Sequence, residues 1–200
     1  MTRTLLVGTQ NPGKQREYRD LLADLPVQWV TPAAIGLGDF EPEENGATFE
    51  ENARGKALAY AQAANLPALA DDSGLVVDAL GGAPGVYSSR YAGPGASDED
   101  RYRQLLRDLA AVPDAERTAR FVCVVALALP EGAVYTARGT LEGSIGHGPK
   151  GGEGFGYDPV FVLPDGRHLA ELPPLEKHAL SHRGRALAAL RPILRQVLGL

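Results

Sequence analysis

Sulfur and tryptophan are nearly missing from this chain: its 200 residues hold one cysteine, one methionine and one tryptophan. A single Cys123 cannot close an intramolecular disulfide, and its place in the apolar run FVCVVALAL marks it as a core thiol. Without disulfides to maintain, a reducing compartment fits, and a cytoplasmic location is expected. Positive charge is also short, with 20 Lys and Arg against 25 Asp and Glu for a net charge of −5. No basic run or stripe stands ready to neutralise a phosphodiester backbone, so no nucleic-acid polymer is expected as partner. No apolar run approaches the ~18 residues of a membrane span, and no charged leader precedes a long apolar stretch, so neither membrane nor export is expected. His147, His168 and His178 have no carboxylate or cysteine at metal-ligand spacing and receive no role. What the chain does have is 44% apolar residues, enough to bury the core of one domain over residues 1–200, with two lobes as an option.

The segment RTLLVG, from Arg3 to Gly8, reads as a buried strand. A helix follows from Pro12 to Leu25, with Tyr18, Leu21, Leu22 and Leu25 at helical spacing, Asn11 as N-cap and Pro12 as first residue. Between them GTQNPGKQ nearly completes a phosphate-binding P-loop, but Gln15 stands where that motif places the Ser or Thr hydroxyl that ligates Mg²⁺. Only the anion-binding half of the device survives, in which N–H groups and the positive end of a helix lie beside Lys14. A plain strand-to-helix turn with a solvated lysine is the competing reading.

VQWVTPAAIG reads as a second strand and turn, and the loop LGDFEPEENGA is acidic. Thr48 and Glu51 form a capping box for a helix whose apolar face is Phe49, Ala53, Ala57, Tyr60, Ala61 and Ala64. LPALADDSGLVVDAL reads as two strands broken at Asp71, Asp72, Ser73 and Gly74. The glycine- and proline-punctuated GGAPGVYSSRYAGPGAS is long enough to suggest a function or a subunit contact. A helix over Asp98–Ala110, a strand over Thr118–Leu129 and its antiparallel partner AVYTARGTLEGSI follow. Then GPKGGEGFGYDPVFVLP runs from a glycine loop into a strand, and a last helix spans Ser181–Val197 with Pro192 inside it. Crossover helices mixed with hairpins predict an α/β fold around a mixed β-sheet flanked by helices.

Several residues are placed for chemistry. Asp71 and Asp72 lie at a predicted strand end, and neighbouring strand residues face opposite ways, so one enters a site while the other braces the turn. The alternative is an Asx turn that uses both. Glu41, Glu43 and Glu44 make either a solvated acidic surface or, folded beside Asp72, part of the sparse oxygen shell that Mg²⁺ prefers. Lys56 leaves the inward side of its helix and can reach an anion. Lys177, His182 and Arg183 gather near the start of the last helix, where they suit an anion or a base carbonyl, or stand exposed behind a Ser181 cap. Phe155 and Tyr157 sit among glycines, as a stacking surface for a nucleobase or as core plugs.

In their order along the chain, TQNPGK, ENGATFEENARGKA, LADDSGLVVDALGGAPGVYSSRYAG, GFGYDPVF and SHRGRAL resemble the inosine triphosphate pyrophosphatase family, from Thr9 to about Leu187. The resemblance implies an elongated mixed sheet with helices around it, two lobes with a central substrate cleft, and usually a homodimer. It implies hydrolysis of XTP, ITP and dITP to monophosphate and pyrophosphate. It makes Thr9, Gln10, Asn11, Pro12, Gly13 and Lys14 the triphosphate cradle and Asp72 the general base and a metal-associated carboxylate, with Ser73 touching substrate. Glu43 and Glu44 then match an acidic pair that helps hold Mg²⁺, Lys56 a lysine near the phosphates, and Phe155, Gly156, Tyr157, Asp158, Lys177, His182 and Arg183 the nucleoside pocket. Competing functions are a pyrophosphatase for other modified nucleotides, a P-loop phosphotransferase and a non-catalytic nucleotide sensor.

Overall fold

The computed structural model describes residues 3–200. Six strands form one sheet in the order β2-β1-β3-β4-β5-β6. They are β1 (Arg3–Val7), β2 (Val27–Val30), β3 (Ala68–Val77), β4 (Thr118–Ala128), β5 (Val134–Ile145) and β6 (Phe161–Val162), and the helices are α1 (Pro12–Leu21), α2 (Phe49–Ala64), α3 (Asp98–Asp108), α4 (Pro174–Leu180) and α5 (His182–Leu198). β1 runs parallel to both neighbours, with Leu6 opposite Val30 on one side and Ala68 on the other, while β5 and β6 are antiparallel. The mixed sheet and flanking helices are those expected from the strand and helix pattern.

Within this sheet the described residues divide into two compact units: residues 3–72, 123–139 and 183–200 form one, and residues 73–122 and 140–182 the other. In the first unit, strand alternation sorts side chains onto two faces. Leu5, Val7, Leu69, Cys123, Val125 and Leu127 share one buried cluster with Tyr18 and Leu22 near α1 and with Leu187, Leu190 and Leu194 of α5. Leu6, Ala68, Ala70, Val124 and Ala126 point the other way, into Ala53, Ala57, Tyr60 and Ala61 of α2. Small residues on α2 let that helix approach closely. In the second unit Leu75, Val77, Leu105, Leu109, Phe121, Ile145, Phe161 and Leu169 build a separate core.

Asn11 accepts from the Lys14 N–H at 3.0 Å and Pro12 opens α1, as expected. The helix ends at Leu21 instead of Leu25, although Leu25 stays buried. The Thr48 and Glu51 capping box is present on α2. One reading needs correction, and one helix is additional to those expected. Asp71 to Gly74 do not break the chain into two strands, since β3 is continuous through them. The segment PLEKHAL forms α4, ahead of the final helix.

Candidate active site

Asp71 and Asp72 stand in the middle of β3, and alternation settles their division of labour. Asp71 continues the face of Leu69 and meets α1 and α5, whereas Asp72 continues the face of Ala70 and meets α2. Asp71 Oδ2 lies 3.0 Å from Lys14 Nζ and 3.0 Å from Arg183 Nη2. Arg183 also pairs with the carboxylate of Glu17, one helical turn beyond Lys14, so two acids and two bases alternate through the first unit. Burial opposes the ionised form of Asp71, but the charges of Lys14, Arg183 and Lys56 overcome it and hold the carboxyl well below the usual carboxylate range. Its neighbours Tyr18 and Cys123 show the reverse: burial, then the Asp71 charge, pushes the phenol and the thiol up. Asp71 is therefore held as an anion at neutral pH and braces α1 and α5.

Asp72 is built for another task. Burial raises its pKa, outweighing the hydrogen bond from Asn52 and the charges of Lys14 and Lys56, and the Glu44 charge adds to the rise. Asn52 Nδ2 donates to Asp72 Oδ2 at 2.9 Å, while Asn52 Oδ1 accepts the Gly46 N–H at 2.8 Å. One buried amide thus ties the base candidate to the acidic loop. Lys56 pairs with the Glu44 carboxylate and points Nζ at the Asp71 carbonyl, 3.3 Å away. Two adjacent carboxyls pushed in opposite directions are a signature of separated acid–base roles.

The turn before α1 is held from several sides. Thr9 Oγ1 accepts the Asn11 N–H at 3.2 Å, and the Gln15 amide donates to the Thr9 carbonyl at 2.9 Å. Gln15 therefore closes the turn from the position where a P-loop would present its metal-binding hydroxyl. Gln10 Nε2 and Tyr60 Oη both donate to the Phe40 carbonyl at 3.1 Å, which pins the acidic loop. Gly8 is required here, because a Cβ would lie 2.5 Å from Tyr60 Cδ2. Thr9 to Lys14, Glu44, Lys56, Asp71 and Asp72 thus belong to one unit and are joined by direct contacts or short relays.

The second unit holds the other expected residues. Ser73 follows Asp72 on β3. Lys177 Nζ lies 2.6 Å from Asp158 Oδ2 in a buried pair and 5.1 Å from the centre of the Phe155 ring. The same Asp158 oxygen accepts the Phe155 N–H at 2.9 Å, and Gly154, at φ +82°, leaves room for it. Tyr157 is buried with its hydroxyl 2.7 Å from the Ser88 carbonyl, so this ring plugs the core. The His182 ring stacks on Phe121, with centroids 4.8 Å apart and planes at 12°.

The structure narrows two alternatives left open by the sequence. Arg183 is not an exposed donor at a helix start: it is 1% exposed, and its guanidinium is taken up by Glu17 and Asp71. Glu43, Glu44 and Asp72 do not gather as a three-carboxylate centre, and among the described residues no group of three metal-ligating side chains does. Glu43 is exposed and accepts from the Asn45 amide at 2.8 Å, so it turns away along its own loop. Glu44 and Asp72 remain, two carboxylates close enough for the charge of one to raise the pKa of the other. That pair suits Mg²⁺, which takes few protein carboxylates and fills its shell with phosphate oxygens and water. Sequence reasoning missed Asn52 and Glu17. Asn52 carried a faint signal as a poor helix former one turn before Lys56, off the alanine stripe.

The sequence profile of the Ham1 family matches residues 5–193. A dITP/XTP pyrophosphatase of Geobacter sulfurreducens is 53% identical over 196 residues, covering 96% of each chain. Another from Methylococcus capsulatus is 48% identical over 202 residues, covering 100% of each. The solved structure of a HAM1 protein from Coxiella burnetii superposes with a TM-score of 0.87 at 44% identity, covering 98% of this chain and 100% of that one.

Proposed function

The chain belongs to the Ham1 family, and on that premise we propose that it hydrolyses the non-canonical purine nucleoside triphosphates XTP, dITP and ITP to the monophosphate and pyrophosphate. Relatives named dITP/XTP pyrophosphatase at about half identity over nearly the whole length support the substrate class. The observation that carries the chemistry is the split between Asp71, held ionised by Lys14 and Arg183, and Asp72, raised by burial and held by Asn52.

In this reading the first unit takes the triphosphate. The Thr9–Lys14 turn and the Lys14 and Lys56 ammonium groups offset its charge. Asp72 accepts a proton from water as the water oxygen bonds to the α-phosphorus. The bond from that phosphorus to the bridging α–β oxygen breaks, and pyrophosphate leaves with the electron pair. A raised pKa makes Asp72 a better base than an unperturbed carboxylate near pKa 4. Asp72 and Glu44 are the residues that would hold Mg²⁺, whose chemistry when bound is charge neutralisation on the triphosphate.

Ser73, the Phe155–Asp158 loop, Lys177 and His182 of the second unit receive the nucleoside end. A 6-carbonyl purine offers an acceptor to their donors where adenine offers an amino group, so hypoxanthine and xanthine pair and adenine leaves donors unmet. Arg183 serves this end by anchoring the start of α5 through Glu17 and Asp71. A cytoplasmic homodimer completes the proposal, with the loop bearing Tyr87, 59% exposed, as its contact surface.

The test is product analysis. With ITP, XTP or dITP and Mg²⁺, the expected products are the monophosphate and pyrophosphate, with kcat/KM well above that for ATP. Release of orthophosphate, or equal rates on ITP, XTP, ATP and GTP, would overturn the assignment.

A further inference from the structure

The GFGYDP loop is held by two carboxylates of different origin. Asp158, within the loop, accepts the Phe155 N–H at 2.9 Å and pairs with Lys177 at 2.6 Å. The next N–H, that of Gly156, is taken by Asp98 Oδ2 at 2.7 Å, from 58 positions earlier in the chain. Asp98 is the first residue of α3, which Ser97 and Asp100 cap reciprocally, so its backbone is fixed by the helix itself. Its other oxygen accepts from Arg101 Nη1 at 2.5 Å, and Arg101 Nη2 is tied to the Ala96 carbonyl at 2.7 Å. Both Asp98 oxygens are thus committed, and the carboxylate cannot rotate away from Gly156 without breaking the Arg101 pair.

Gly156 has φ +64° and Gly154 φ +82°, conformations that glycine leaves freely. A segment with two such residues around Phe155 keeps one geometry only if outside groups hold it, and Asp98 is such a group. Discrimination between a 6-carbonyl and a 6-amino purine depends on donors that stay in place when the wrong base arrives. A loop free to shift accommodates both.

We propose that Asp98 is a specificity-determining positioning residue, which acts through the Gly156 N–H to hold the Phe155–Asp158 loop in the geometry that selects 6-carbonyl purines. The inference rests on the reading that this loop receives the nucleoside end.

Steady-state kinetics on ITP and ATP test it. For Asp98→Ala, kcat/KM for ITP falls about tenfold, the scale of one charge-assisted hydrogen bond. The loss is in KM, kcat at saturating ITP stays within about twofold, and the ITP-to-ATP ratio falls in step. Asp98→Asn, whose amide oxygen can still accept the Gly156 N–H, restores most of the ratio. Arg101→Met, which frees the Asp98 carboxylate to rotate, lowers the ratio by less than Asp98→Ala does. An Asp98→Ala protein with a lowered Tm but the parent ITP-to-ATP ratio would reduce Asp98 to a structural cap and overturn the proposal. Phe155→Ala separates this failure from that of the underlying reading. If it shifts the ratio and Asp98→Ala does not, the Asp98 inference alone falls, and if neither shifts the ratio, the nucleoside assignment of the loop falls as well.

Discussion

Replacing Asp71 and Asp72, one at a time, with asparagine should move stability in opposite directions. Asp71→Asn keeps the shape and removes a charge that Lys14 and Arg183 both meet at 3.0 Å. Arg183 then keeps its pair with Glu17, while Lys14 loses the carboxylate it meets. Breaking a buried pair by removing one partner costs about 3–5 kcal/mol. In a protein of this size each kcal/mol moves Tm by about 2–4 °C, so the expected fall is roughly 6–20 °C. Asp72 has its pKa raised in the folded protein, so the fold disfavours its ionised form at neutral pH. Asp72→Asn should therefore hold or raise Tm while nearly abolishing turnover, the usual trade between stability and activity at a working carboxylate.

The signs follow from linkage. The depressed pKa of Asp71 gives stability that is present above its unfolded value of 3.8 and is lost as pH falls toward the folded value, so the penalty of Asp71→Asn shrinks in acid. The raised pKa of Asp72 gives stability that is full below 3.8 and is lost as pH rises through the folded value, so any gain from Asp72→Asn appears only above it. Thermal unfolding of both variants from pH 3 to pH 8, with pyrophosphate release from ITP measured on the same samples, reads all of this. Equal falls in Tm for the two, or an Asp71→Asn protein as stable as the parent at pH 7, would refute the assignment of a braced anion and a strained base.

Asn52→Ala should lower kcat on ITP roughly tenfold to a hundredfold with KM changed by less than about threefold, because Asp72 loses its orienting donor and the Gly46 end of the acidic loop is released. Carboxyl NMR titration of the metal-free protein should place the Asp72 midpoint above 3.8, and Glu44→Gln should bring it down, since Glu44 contributes to the rise. Gly8→Ala should be strongly destabilising in thermal melts, as its Cβ would collide with the Tyr60 ring at 2.5 Å.

The local devices were legible in the sequence because their partners are near in the chain. Asn11 capping Lys14 and Thr48 answering Glu51 are three-residue relations, and the alanine stripe of α2 follows from helical period alone. The opposite orientation of Asp71 and Asp72 also followed from strand geometry. What each aspartate would meet did not, because Lys14 and Arg183 lie 57 and 112 positions from Asp71. For the same reason the sequence predicts a break in β3. An Asp-Asp-Ser-Gly run has poor strand propensity, and only distant cations and an amide make it tolerable there. Whether Arg183 meets an anion or stands exposed is open in the sequence because nothing local marks Glu17 as its partner.

Neither compact unit is an uninterrupted stretch of chain: the first is assembled from three segments, the last of them residues 183–200. Leu187, Leu190, Leu194 and Leu198, which seal the Leu5 and Val7 side of that unit, are translated long after the strands they cover. Until α5 has left the ribosome that apolar surface stays uncovered, so the nascent protein depends on synthesis of that helix, or on chaperones, to avoid aggregation. A premature stop codon anywhere before α5 should yield insoluble product instead of a working half-enzyme.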